Sequence, residues 1–110
     1  MEIKFTSDKN QQFYQSEKQL TKKYGKQLSL KITQRLQEMD AFESVGELLD
    51  SNIGKGHLLA HEYKDCFSVH LTGNYRLIAE MIYSEDSDLS KLNFYKIKII
   101  QVIEVKDYHE

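Results

Sequence analysis

Proline and tryptophan are absent from this chain of 110 residues, and cysteine occurs once, at Cys66. A lone cysteine excludes an internal disulfide and points to a reducing compartment. No apolar run approaches the roughly 18 residues of a membrane span. The opening MEIKFTSDKN lacks the apolar stretch of about 7–15 residues found in secretory signals. The expectation is a cytoplasmic protein with no membrane partner. Internal repeats and low-complexity tracts are missing as well. Nor does one charge dominate: 15 Lys and Arg against 17 Asp and Glu leave a net charge of −2. Phosphate neutralisation supplies most sequence-independent affinity for nucleic acids, so this balance argues against a general DNA or RNA coat. It leaves room for a small basic site on an acidic body.

What is present suffices for one core. With 40% hydrophobic residues, and a length inside the usual domain range of about 50–200 residues, residues 1–110 are expected to form a single domain. Ile3 and Phe5 share a parity, as in a half-buried strand. Ser7 and Asp8 offer helix caps, with Asp8 and Gln11 at capping-box spacing. A first helix carrying Phe13, Leu20 and Tyr24 is expected to stop at Gly25. A second carries Leu28, Ile32, Leu36 and Met39, and the two should pack as an antiparallel hairpin. Ser44 and Glu47 open a short helical turn, and residues 52–56 (NIGKG) read as a loop. Period two then takes over. Phe67, Val69 and Leu71 precede the turn Thr72-Gly73-Asn74, and the return run places Tyr75, Leu77, Ala79, Met81 and Tyr83 on one parity. After an acidic loop, SEDSDLSK, a last strand is expected to put Tyr95, Ile97, Ile99, Ile103 and Val105 on one face. The pattern is an α+β domain: an N-terminal strand and a helix hairpin on an antiparallel sheet of about four strands.

All four histidines, His57, His61, His70 and His109, fall in the strand-rich half. Arg76 is the one arginine there, and its planar fork suits phosphate better than a lysine does. His57 and His61, four apart, would share a face on a helix. On a strand they would stand about 13 Å apart, and no third ligand completes the set, so no metal site is expected. Cys66 lies on the parity opposite the apolar triplet, which suggests exposure, but a lone thiol is an ordinary structural residue more often than a nucleophile. Gly54 and Gly56 flank Lys55 without forming a phosphate-loop motif. The last strand ends in Asp107, Tyr108 and His109, an acid, a phenol and an imidazole, the last with an ordinary pKa of about 6.5 suited to proton transfer. Simpler readings exist for each residue: a frayed tail, a packed Tyr108, or an Arg76–Glu80 surface pair.

The ordered set Phe67-Ser68-Val69, Thr72-Gly73-Asn74-Tyr75-Arg76 and Asp107-Tyr108-His109, preceded by His57, resembles the RelE/HigB superfamily of type II toxin–antitoxin toxins. Within it, the HigB or plasmid-maintenance-killer branch reads His-Pro-Leu-Lys-Gly, an aromatic-Ser-Ile-Arg strand, Asn-Trp-Arg and a closing Asp-Tyr-His. The resemblance implies a RelE-like microbial RNase fold. It implies a ribosome-dependent mRNA endonuclease that uses no metal or other cofactor and is silenced by a cognate antitoxin, HigA-like and of the helix-turn-helix type. The ribose 2′-hydroxyl would attack its own 3′ phosphate. On this resemblance His109 is the acid or base, Asp107 supports it, Tyr108 orients substrate, Arg76 faces the phosphate and His57 is a second functional histidine. Two departures remove cations: Ala60 stands where the branch has lysine, and His70 where it has arginine. Lys55, Lys64 and Lys106 are the candidates to replace them in RNA binding, with Lys96 and Lys98 as further cations. An apolar groove between helices and sheet is expected to receive the antitoxin. Two other readings stay open: a gyrase-binding toxin of the ParE type, and a non-catalytic partner-binding relative.

Overall fold

Strand β1 (Glu2–Phe5) leads into α1 (Asp8–Tyr14) through Ser7, whose Oγ accepts from Asn10 N at 3.1 Å. The cap is therefore Ser7 with Asn10, not Asp8 with Gln11. The computed structural model describes residues 1–83 and 93–108, so the acidic loop and His109 lie outside the described residues. The single first helix of the sequence reading is two. Ser16 takes extended backbone (φ −107°, ψ 107°) and caps α2 (Glu17–Tyr24), its Oγ accepting from Gln19 N. Serine's short hydroxyl competes for local backbone donors, and here it restarts the helix rather than continuing it. Gly25, at φ 85°, turns the chain from α2 into α3 (Lys26–Ala41), a left-handed φ that favours glycine. The expected hairpin forms there, tied by Thr21 Oγ1 donating to Ser29 Oγ at 3.1 Å. Leu28, Ile32 and Met39 are buried on the α3 stripe. Ser44 caps α4 (Val45–Ser51) by accepting from Glu47 N, as its spacing suggests.

The chain then forms β2 (His57–Leu58), β3 (Cys66–His70), β4 (Tyr75–Ile82) and β5 (Ile99–Asp107), in the sheet order β1-β5-β4-β3-β2. Strands β2 to β5 are antiparallel neighbours, but β1 pairs with β5 in parallel. A parallel pair needs a long crossover, and everything between β1 and β5 supplies it. One face of this sheet packs Phe67, Val69, Leu77, Ala79, Met81, Ile100 and Val102 against Leu20, Ile32, Met39, Val45 and Leu48. Among the described residues, no helix is long and apolar enough to cross a membrane.

The last strand departs from its expected parity. Tyr95 is 52% exposed in a 3-10 turn at Phe94–Lys96, and Ile97 is buried before the strand begins. Within β5, Ile100 and Val102 face the core. Ile78 then pairs with Glu104 while Ala79 pairs with Val102, which leaves Ile103 as an extra residue and returns Val105 to the core side. Strict alternation cannot be counted through such a bulge. Between β1 and the helices runs a groove of about 530 Å³, lined by Ile3, Phe5, Tyr14, Leu30 and Leu36 with Asp40 at its border. The expected groove is apolar, but Gln15, Glu17, Thr33, Gln37 and Asp40 make half of this lining polar.

Candidate active site

Opposed residues in a sheet share a face, so register alone groups the polar side chains on the side away from the helices. One row across four strands is His57, Ser68, Ile78 and Glu104; the next is His70, Arg76 and Lys106. Arg76 leans from the second row onto the first. Its Nε donates to Ser68 Oγ at 2.7 Å, and Nη2 donates to Ser68 O at 3.1 Å and to Lys55 O at 2.8 Å. Nη2 also stands 3.3 Å from His57 Nδ1. Burial lowers the guanidinium from its ordinary pKa, and the Tyr108 phenol pulls it back up. A guanidinium with two nitrogens committed to sheet and turn cannot sweep through rotamers, so its charge is presented in one place.

The Lys55 carbonyl reaches Arg76 because the 3-10 turn Ile53–Lys55 lies against β3. Gly54, at φ 72°, makes that approach: a Cβ there would sit 3.0 Å from Arg35 Nε and 3.1 Å from Val69 Cβ. Arg35 in turn reaches from α3 to His70 O at 2.8 Å and pairs with Glu38. The helix layer therefore braces the turn that braces Arg76.

On the neighbouring strand, Lys106 is directly opposite Arg76. Its Nζ lies 4.8 Å from the Tyr63 ring centroid and 5.1 Å from that of Tyr108. Tyr63 stands on a second 3-10 turn, His61–Tyr63, and donates to Glu104 Oε1 at 3.2 Å. Pairing extends past the end of β5: Tyr108 N donates to Asn74 O at 2.9 Å, beside the β3–β4 turn. Tyr108 is 41% exposed and does not cap the core.

Of the sequence candidates, His57, Arg76, Lys55, Lys106 and Tyr108 come to this one rim, whereas Asp107 pairs with Tyr75 and alternates to the other face of β5. His109 follows Tyr108 but lies outside the described residues. Lys64 sits before the other end of β3 and shares no hydrogen bond or ion pair with the Arg76 group. Lys98 is roughly 25 Å from Lys106, at about 3.3 Å per strand residue, with Glu2 N bonded to its carbonyl at the far edge. Arg76 is bonded to Ser68 and Lys55 rather than to Glu80. Cys66 is buried, contrary to its suggested exposure, and desolvation, reinforced by the Glu80 and Asp65 carboxylates, pushes its thiol up to about 11. A thiol so rarely ionised is no nucleophile. Ser68 carries no signal of its own in the sequence beyond its motif, yet its parity with His70 and the hairpin register suffice to bring it to Arg76. Tyr63 carries no sequence signal, because only the folding back of its loop brings it to β5.

No protein-family model and no curated protein matches the chain. Solved structures do. The fold is similar to that of a YoeB/ParE toxin from Agrobacterium tumefaciens, with a TM-score of 0.58 and 13% identity over 99% of this chain and all (100%) of that one. It is similar also to a chain of the YoeB–YefM complex from Staphylococcus aureus, with a TM-score of 0.57 and 19% identity over 100% of this chain and 98% of that one. The α+β fold, helices on one face of a mostly antiparallel five-stranded sheet, is thus that of the YoeB/RelE-like toxins.

Proposed function

We propose that this protein is the toxin of a type II toxin–antitoxin system, a cytoplasmic endoribonuclease that cuts mRNA on the ribosome. The observation that carries the reading is the Arg76 fork. It is held by Ser68 and Lys55 beside His57, opposite Lys106, on the rim that Tyr108 also reaches. The scissile phosphate is assigned to the Nη1 edge of Arg76, with Lys106 taking a second share of its charge. The ribose 2′-hydroxyl attacks that phosphate, a 2′,3′-cyclic phosphate forms, and the 5′ oxygen leaves with a proton. His109 is assigned the proton transfer, Asp107 its support, and His57 the second imidazole of the site. General acid–base assistance contributes about 10²–10⁴-fold, and each charge aimed at the developing oxyanion about 10²–10³-fold.

The ordered motifs shared with the HigB branch support placing the chain there, while the fold is common to the wider group. Lys106 stands in the same row across the sheet as His70, one of the two positions left without a cation. A net charge of −2 fits an enzyme whose substrate is presented by the ribosome rather than captured from solution. The groove between β1 and the helices is assigned to a cognate antitoxin, HigA-like in this reading. The YoeB–YefM complex is a precedent, on the same fold, for a paired partner.

Induced expression tests the proposal. Wild-type chain should arrest growth and cleave mRNA, and His109→Ala should do neither while folding normally. Arrest that persists in His109→Ala removes the imidazole from the mechanism. Arrest with a DNA-damage response and intact mRNA replaces the nuclease by a gyrase-directed toxin.

A further inference from the structure

Lys106 is held in an unusual way for a strand-borne cation. The ion pairs among the described residues, Lys4 with Glu2 and Arg35 with Glu38, do not include it. It lies by two phenol rings, 4.8 Å from one centroid and 5.1 Å from the other, and its charge is favoured by the Tyr63 hydroxyl, Tyr108 and the Glu62 carboxylate. Both separations fall within the range of about 4.5–7 Å at which aromatic rings stack on one another. A planar ring put in place of the ammonium would therefore meet Tyr63 and Tyr108 at stacking distance. The Tyr63 ring is held by its hydroxyl, which donates to Glu104, and the Tyr108 backbone is anchored to Asn74. Lysine's flexible stem lets its charge move while the rings stay.

We infer that Tyr63, Tyr108 and Lys106 form a receptor for one nucleobase and its adjoining phosphate in single-stranded RNA. The base stacks on the two phenols, and the displaced ammonium moves onto the phosphate. Lys106 thus keeps the slot filled until substrate enters. Because Arg76 is opposite Lys106, the bound nucleotide neighbours the phosphate assigned to Arg76. Tyr63, a residue outside the acid–base group, then sets the register of the RNA. Glu104 is a positioning residue that fixes the Tyr63 ring. The inference deepens the proposed nuclease reading and rests on it for the identity of the ligand.

The probe is a short single-stranded RNA carrying 2-aminopurine at one base and 2′-O-methyl groups that block cleavage, added at millimolar concentration. Stacking quenches 2-aminopurine fluorescence. Quenching is expected with wild type and, more weakly, with Tyr63→Phe, which keeps the ring but loses its bond to Glu104. It should be lost in Tyr63→Ala and Tyr63→Leu, with folding checked by circular dichroism. In parallel, Tyr63→Ala should lower kcat/KM for ribosome-programmed mRNA cleavage by about tenfold to hundredfold, the usual worth of one base stack. No quenching by wild type, or equal quenching by Tyr63→Ala, overturns the base site even if the chain cuts RNA. Tyr63-dependent quenching by a chain that cuts no RNA keeps the base site and rejects the nuclease reading.

Discussion

The two halves of β5 do different work on one strand. Upstream, Ile100 and Val102 are fully buried, with β1 on one side and β4 on the other. Downstream, Glu104 and Lys106 share the open face of the sheet with Arg76. The bulge at Ile103 separates them, and beyond it the outward-facing positions are filled by ionisable side chains. Core residues are replaceable by others of like volume, whereas the rim depends on the identity of each functional group. Substitutions in the two halves should therefore separate stability from activity.

Ile100→Ala should show the largest effect on folding. Truncating a fully buried isoleucine costs about 2–5 kcal/mol, read as a lower urea midpoint with little change in slope. A loss below about 1 kcal/mol would mean that the upstream half is not the anchor described here.

A smaller effect is expected in alkali. Tyr14 beneath the sheet is pushed up to about 12, first by burial and then by Tyr24 and Glu104, and Cys66 is pushed up to about 11. Both groups are held protonated by folding. Their contribution is complete below the ordinary values of 9 and 10 and is lost as pH rises from there through 11 and 12. The urea midpoint should fall above about pH 9, and Cys66→Ala should move the onset of that fall upward. A midpoint independent of pH between those values would contradict the burial assigned to both groups.

Least of all should Lys106→Gln change stability, its urea midpoint staying at the wild-type value, although mRNA cleavage should drop. Loss of folding in this variant would erase the distinction between the two halves.

The parts of this molecule legible in its sequence were those governed by local chemistry. The α3 stripe, the Ser44 cap and the Gly73-Asn74 turn each depend on residues a few positions apart. The placing of His57 and Lys106 near Arg76 follows from strand register, which motif spacing encodes, whereas Asp107 alternates to the other face. The break at Ser16 was missed because a capping hydroxyl and an interior helical serine look alike in sequence. The bulge at Ile103 was missed because alternation carries no mark of an extra residue. Cys66 faces away from the helices, so parity suggested exposure; the segment that folds back from Leu59 to Asp65, with Asp65 O accepting from Met81 N, accompanies its burial. Tyr63 enters the site through that same long-range fold.

The rim's assigned chemistry is tested most directly by single-turnover cleavage of mRNA on programmed ribosomes with wild-type chain and Arg76→Ala. The account predicts site-specific cleavage by wild type and a rate at least about a hundredfold lower in the variant, with ribosome binding retained. Equal rates for the two, or no cleavage by wild type, would contradict it.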